Sequence, residues 1–266
     1  MSRPQTERRW ARTASWFNSW VDVIAPPVCV VCGDPAGTAL ALVCRRCLTR
    51  VRARRRRTWI PLPWNTPGGP DLTHEGENSP RPRHPRMLEV HTAHDYEPPL
   101  GELLRGLKYD GMHHLAEILA RRAAPVLGAW PGRPRLVPIP LHPARFKARG
   151  FNQAELLARH LAATLEAAPP MALLERRHDT PSQTRLDRNQ RQSNLQGAFR
   201  AQRRLDGQKL LLVDDVITTG STLAAAAAAA LEGGGVVVGA VALARTPAGC
   251  HGSCAQSAPA QWARPI

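Results

Sequence analysis

Aromatic side chains make up only 5% of the 266 residues, and the chain holds just six cysteines. Too few cysteines for its length, it is not a disulfide-dense scaffold. Long apolar runs are missing too: the nearest candidate, Leu223 to Ala244, is cut by Glu232 and by Gly233, Gly234 and Gly235. A transmembrane helix needs about 18 or more apolar residues in succession, so no transmembrane segment is expected. Arg3, Arg8, Arg9 and Arg12 precede an apolar stretch, but Asn18 and Asp22 interrupt it and no small-residue cleavage site follows. That pattern is not a secretory leader, and the expected location is cytoplasmic and reducing.

Acidic residues are scarce as well, 21 against 36 basic ones, for a net charge of +15. Arginine accounts for 33 of the 36, an enrichment that a GC-rich genome also produces, so composition alone identifies no partner. Its distribution says more. Residues 1–57 hold twelve arginines against three acids, residues 58–98 three against six, and the remainder 21 cations against 12 acids. The densest basic region is therefore the N-terminal part, which favours anions such as nucleic acid. With 43% hydrophobic residues the chain can bury one mid-sized core and carry an appendage.

Trp10, Ala14, Phe17, Val21 and Ile24 recur at helical spacing until Pro26-Pro27, so residues 1–25 are expected to form an amphipathic extension. Its stripe packs on the main domain or meets a membrane surface or partner. Cys29-Val-Val-Cys32-Gly33 and, eleven residues beyond Cys32, Cys44-Arg-Arg-Cys47 follow. Two Cys-x-x-Cys turns at short separation suit tetrahedral Zn²⁺, with thiolates about 2.3 Å from one ion. All four positions would be protein, so this zinc is structural. A module over 26–58 is expected, unfolding alone on loss of Cys29. Its flank, Arg50, Arg52 and Arg54 to Arg57, reads either as a phosphate-backbone contact or as a solvated surface. Residues 59–87, rich in Pro, Gly, Asn and Ser, read as a linker.

From residue 88 to 246 strands and helices alternate: strands over 88–93, 136–141, 209–213 and 236–244, helices over 99–107, 114–127, 152–165 and 221–231. This implies an α/β fold, a parallel sheet with helices on both faces. Residues 247–266 read as a flexible tail in which Cys250 and Cys254 are incidental.

The chemistry concentrates in Leu211-Leu-Val-Asp-Asp-Val-Ile-Thr-Thr-Gly-Ser-Thr222. An apolar strand ends in Asp214 and Asp215, and a loop of Val216, Ile217, Thr218, Thr219, Gly220, Ser221 and Thr222 opens a helix. The helix N-terminus offers unpaired N–H groups, Gly220 permits close approach, and the hydroxyls add donors, which together suit a phosphate monoester. The carboxylates just outside that cup can accept hydrogen bonds from sugar hydroxyls, so the expected ligand is a ribose 5-phosphate group. No Gly-x-x-x-x-Gly-Lys-Ser/Thr is present, and no Gly-x-Gly-x-x-Gly follows a strand.

This segment resembles the phosphoribosyl diphosphate (PRPP) signature of type I phosphoribosyltransferases. The whole chain resembles the ComF family, competence-associated proteins with an N-terminal zinc module. Further carriers are Leu107-Lys108-Tyr109, Val137-Pro-Ile-Pro-Leu141, Arg149-Gly-Phe-Asn-Gln153, Thr180-Pro-Ser-Gln183, Arg191-Gln-Ser-Asn194 and Gly197-Ala-Phe199. The resemblance implies Asp214 and Asp215 on the ribose hydroxyls, Thr218 to Thr222 on the 5-phosphate, Mg²⁺ on the diphosphate, and for some members the handling of incoming single-stranded DNA.

Beside it, Arg145, Lys147 and Arg149 read as a loop clamp for diphosphate or as exposed charges. Residues 176–194, with Arg188 and Arg191, suit a mobile lid over a polyanion, and Lys108 offers one more cation. His142 is the one candidate base, against the plainer reading of a loop histidine. Three classes of function stand: a PRPP-dependent transferase, a single-strand-handling accessory working with other DNA-uptake proteins, and a PRPP sensor.

Overall fold

A computed structural model of the protein describes residues 28–36, 43–63, 86–177 and 197–246. The expected N-terminal helix, the lid with Arg188 and Arg191, and the tail with Cys250 and Cys254 lie outside the described residues. Helix α1 (Arg45–Arg50) is followed by β1 (Arg56–Pro61) and β2 (Met87–Asp95), then α2 (Leu100–Tyr109), α3 (Leu115–Leu127) and β3 (Arg135–Pro138). Next come α4 (Pro143–Arg149), α5 (Gln153–Leu161), the short strands β4 (Leu174–Arg176) and β5 (Phe199–Ala201), then β6 (Lys209–Ile217), α6 (Ser221–Glu232) and β7 (Val236–Arg245).

The main sheet has the order β1-β2-β7-β6-β3. Every pairing is parallel except the edge pair of β1 and β2. Leu210, Leu211, Leu212 and Val213 on β6 are all fully buried, as expected of a strand covered on both faces. Alternation divides them: Leu211 and Val213 join the core built by α2, α3 and α5, while Leu210 and Leu212 join the core under α6 and the β4–β5 ribbon. On α2, Leu100, Leu103, Leu104 and Leu107 recur at helical spacing and all are buried. Each such side chain contributes about 1.5–3 kcal/mol by leaving water. The alanines of α6 do the opposite job: Ala226, Ala227 and Ala230 are fully buried and small enough to let the helix lie close on the sheet.

The linker was expected to begin at residue 59, but Trp59, Ile60 and Pro61 lie in β1, paired with Glu89, Leu88 and Met87. Its arginines hid the strand, because an edge strand leaves most side chains in solvent and so shows no apolar alternation. Arg56 and Arg57 are also not uncommitted cations, since they pair with Asp95 and Glu89 at 2.6 and 2.5 Å.

The cysteine segment is likewise not an appendage with its own core. Cys29, Val43, Cys44, Cys47 and Val51 belong to the same buried cluster as the leucines of α2 and α3. The Arg54 amide donates to the Ala93 carbonyl at 2.6 Å, tying the segment to β2.

Candidate functional site

Strands β6 and β3 are neighbours, yet the helices that follow them pack on opposite faces of the sheet. Such a switch opens a crevice beyond the carboxyl ends of the strands, the usual ligand position in open α/β sheets. Asp214 and Asp215 lie on this rim, but within β6 and not beyond its end as the sequence suggested. The strand continues because each acid is accommodated. Asp215 is 5% exposed and its carboxylate forms an ion pair with Lys108 of α2. Gln153, the first residue of α5, donates its amide to the other oxygen at 3.5 Å. Asp214 turns back on the chain and accepts from the Asp215 amide at 2.8 Å.

The two carboxyls titrate in opposite directions. Burial raises Asp214 well above the ordinary carboxylate range, and the adjacent Asp215 charge adds to the effect. Burial would raise Asp215 too, but the Lys108 ammonium outweighs it and holds the group below its usual value. Lys108 is therefore engaged by the acid, whereas the sequence offered it as a diphosphate cation.

Beyond β6, Thr218 is exposed and Thr219 half-buried, and the Thr219 and Ser221 hydroxyls are 2.5 Å apart. Thr222 is half-buried in the first turn of α6. Gly220 caps α6 in the left-handed conformation, φ 83°, with no side chain of its own to offer the helix amides, and the first of these, that of Ser221, donates to Thr219 Oγ1 at 3.4 Å. Its place is doubly restricted, because an added Cβ would overlap the Ile60 side chain of β1. Gly220→Ala is expected to cost about 2–4 kcal/mol from left-handed strain and overpacking, read as a lowered denaturant midpoint. A midpoint equal to that of the wild type would show that the loop has room to move.

The expected loop over 145–150 is the helix α4. Pro143 at its first turn presets φ and His142 caps it, accepting from the Ala144 amide through Nδ1 at 3.2 Å. That ring nitrogen is committed to the cap, which argues against His142 as the base. No residue of α4 is buried, so apolar periodicity gave no sign of it. Lys147 is exposed on it. Arg149 bends back, donating to Gln153 Oε1 at 3.1 Å and to the Tyr109 hydroxyl at 3.2 Å, its guanidinium 4.9 Å from the Tyr109 ring centre. Between Lys108–Gly111 and Arg145–Phe151 lies a cavity of about 600 Å³. Asn152 fixes this corner, donating to the Ile139 carbonyl and capping α5 through the Ala154 amide. A larger cavity, about 730 Å³, sits at the opposite end of the sheet, where Asp206 and Gly207 lead into β6.

The phosphoribosyl transferase domain matches residues 148–251. The DNA utilization protein YhgH of Salmonella typhi is 33% identical over 193 residues, covering 70% of each chain. Its counterpart from Escherichia coli strain K12 is 32% identical over 195 residues, again 70% of each. The chain belongs to the ComF family. In this ComF-family protein the matched domain spans α5 through β7, including the Asp214–Thr222 segment, whereas Lys108 and Ile60, which touch that segment, lie upstream of the match.

The four cysteines of the N-terminal part come together. Their Sγ atoms all lie within 4.8 Å of one another, with Cys32 and Cys44 3.6 Å apart, too far for a disulfide and positioned to hold a metal ion. The first pair sits in a knuckle closed by the Gly33 amide on the Cys29 carbonyl, with Gly33 at φ 75°. The second opens α1, where the Cys47 amide donates to Cys44 Sγ at 3.4 Å. Burial and crowding by the other three sulfurs push the Cys47 thiol up. Cys29 is brought down to about 7, neighbouring amides outweighing its burial. Among the described residues no helix is long and apolar enough to cross a membrane.

Proposed function

We propose that the protein binds PRPP in the crevice between β6 and β3 and transfers or senses its phosphoribosyl group. The observation that carries this reading is the start of α6, with a glycine at its cap and the hydroxyls of Thr219, Ser221 and Thr222 around it, just after two acids held on the strand. In it the 5-phosphate lies on the amides and hydroxyls of Thr218 to Thr222, and Asp214 and Asp215 face the ribose hydroxyls. Asp214 and Asp215 each bond one hydroxyl, Asp215 while keeping Lys108. Arg145 and Lys147 on α4 face the diphosphate.

Mg²⁺ fits only as an ion carried by the diphosphate. Among the described residues the one grouping of metal-ligand type is the four cysteines, so these residues supply no oxygen cage of their own. When bound, Mg²⁺ neutralises charge on the leaving diphosphate. Zn²⁺ suits the four sulfurs, since tetrahedral bonds of about 2.3 Å place thiolates roughly 3.8 Å apart, close to the 3.6 Å between Cys32 and Cys44. Reduced thiols of this kind belong in a reducing cytoplasm.

Titration with PRPP and Mg²⁺ by calorimetry tests the reading. Binding to the wild type is expected, with a loss of at least tenfold in affinity on Asp214→Asn with Asp215→Asn and an unchanged circular dichroism spectrum. Undiminished affinity in that variant would remove the acids from the site. A second reading, an accessory that handles single-stranded DNA alongside other DNA-uptake proteins, is favoured by the relatives' name. Arg54 to Arg57 support it less than the sequence suggested, because Arg56 and Arg57 are held in ion pairs.

A further inference from the structure

We infer that Gln153 is a positioning residue of the sugar site, holding Asp215 in one orientation toward the ribose hydroxyls. The inference rests on the phosphoribosyl reading above. Gln153 is 5% exposed, and a buried amide needs partners at both its ends. Its backbone is fixed first. Asn152, anchored on the Ile139 carbonyl at 2.9 Å and capping α5 through the Ala154 amide at 3.0 Å, sets where the helix begins. Gln153 therefore leaves the first position of α5 close to the carboxyl end of β3, the neighbour of β6.

The amide has one workable orientation. Its Oε1 accepts from the Arg149 guanidinium at 3.1 Å, and its Nε2 donates to Asp215 Oδ1 at 3.5 Å. Reversed, it would turn an oxygen on a carboxylate and an NH2 group on a guanidinium, and both contacts would be repulsive. Asp215 is thus engaged at both oxygens, Oδ2 by Lys108 of α2 and Oδ1 by Gln153 of α5. Two partners on different helices fix the plane of the carboxylate. An ionised carboxylate offers about four acceptor sites, so sites remain for a sugar hydroxyl, and they keep a set direction. A hydroxyl then binds without first ordering the acid.

Gln153 is held in its turn. Arg149 also donates to the Tyr109 hydroxyl at 3.2 Å, and Tyr109 follows Lys108 on α2. Lys108, Asp215, Gln153, Arg149 and Tyr109 therefore form a closed ring of contacts drawn from α2, β6, α5 and α4. Within this ring Lys108 and Arg149 are occupied by their neighbours and support the acid. Gln153 links the guanidinium to the carboxylate and, being neutral, adds no charge beside Asp215. An apolar side chain of the same length would fill the space equally well, but would leave Asp215 Oδ1 and the guanidinium each short of a partner.

Calorimetric titration of the full chain with PRPP and Mg²⁺ tests this. Gln153→Met, which keeps the length and removes both polar ends, is expected to weaken binding roughly fivefold or more with an unchanged circular dichroism spectrum. Gln153→Glu keeps a partner for Arg149 but turns a second carboxylate on Asp215, so it should weaken binding at least as much. Wild-type affinity in Gln153→Glu would make the side chain a support for Arg149 only, and wild-type affinity in Gln153→Met would leave it no part in binding. Either result overturns the inference. Should Gln153→Met not fold, Gln153→Glu carries the test. Because Gln153 acts through Asp215, adding Gln153→Met to Asp215→Asn should change affinity less than about twofold. An equal loss with and without Asp215→Asn would mark a general loosening of the fold and overturn the positioning role. If the wild type binds PRPP and the Gln153 variants bind it as well, this inference alone falls. If the wild type does not bind PRPP, the phosphoribosyl reading falls and takes the positioning role with it.

Discussion

Lys108→Met is expected to destabilise the protein by about 3–5 kcal/mol, the range for stranding one member of a buried ion pair. Asp215 is buried to 5% exposure, and among the described residues Lys108 is the one cation paired with it. For a domain of this size the melting temperature should drop by roughly 6–20 °C. The pH dependence identifies the cause. With its pKa depressed in the folded state, Asp215 contributes stability that is present above the unfolded carboxyl value, about 3.9, and is lost as pH falls through the folded one. In Lys108→Met the same burial raises the carboxyl, so the deficit should be largest at neutral pH and shrink on acidification. Adding Asp215→Asn to Lys108→Met should recover most of the stability, because no charge is then stranded. A single variant as stable as the wild type at pH 7 would show that water reaches Asp215.

Removing metal from the four cysteines is expected to have the largest effect of all. Structural zinc sites carry apparent binding energies of about 10–16 kcal/mol, which the fold loses when the ion is taken away. Seen from the sequence, that loss would stay within residues 26–58. The shared cluster around Cys47, Val51 and the leucines of α2 and α3 predicts otherwise. We expect about one zinc per chain, and its chelation should strip hydrogen-exchange protection from α2 and α3 as well as from α1. Protection of α2 and α3 that survives chelation would return the cysteines to the status of a separate module.

Much of the fold was legible because its segments obey one period each. The leucines of α2 and the buried run of β6 could be placed from spacing alone, as could the glycine triplet ending α6. The phosphate-type loop was legible for a different reason: acids, small hydroxyl residues and glycine have few other uses between a strand and a helix. What escaped notice depended on contacts distant in the chain. The extension of β6 through Asp215 relies on Lys108, and an isolated carboxylate in a strand reads as a strand end until its partner is known. Helix α4 buries nothing, so it has no stripe to read. Strand β1 pairs with a strand that follows it only after 25 intervening residues, and its arginines are explained by Asp95 and Glu89. Lys108, Tyr109 and Arg149 stood in recognisable motifs, but nothing in the sequence showed that they line one cavity.

The packing of Ile60 against Gly220 has a practical consequence for anyone dividing this chain. Met87 looks like a natural starting point for the catalytic-looking half, and a shortened protein begun there would keep every acid, hydroxyl and glycine of the sugar-phosphate loop. It would nevertheless lack the isoleucine that backs the loop from behind, so the half that carries the signature is not the half that holds it in shape.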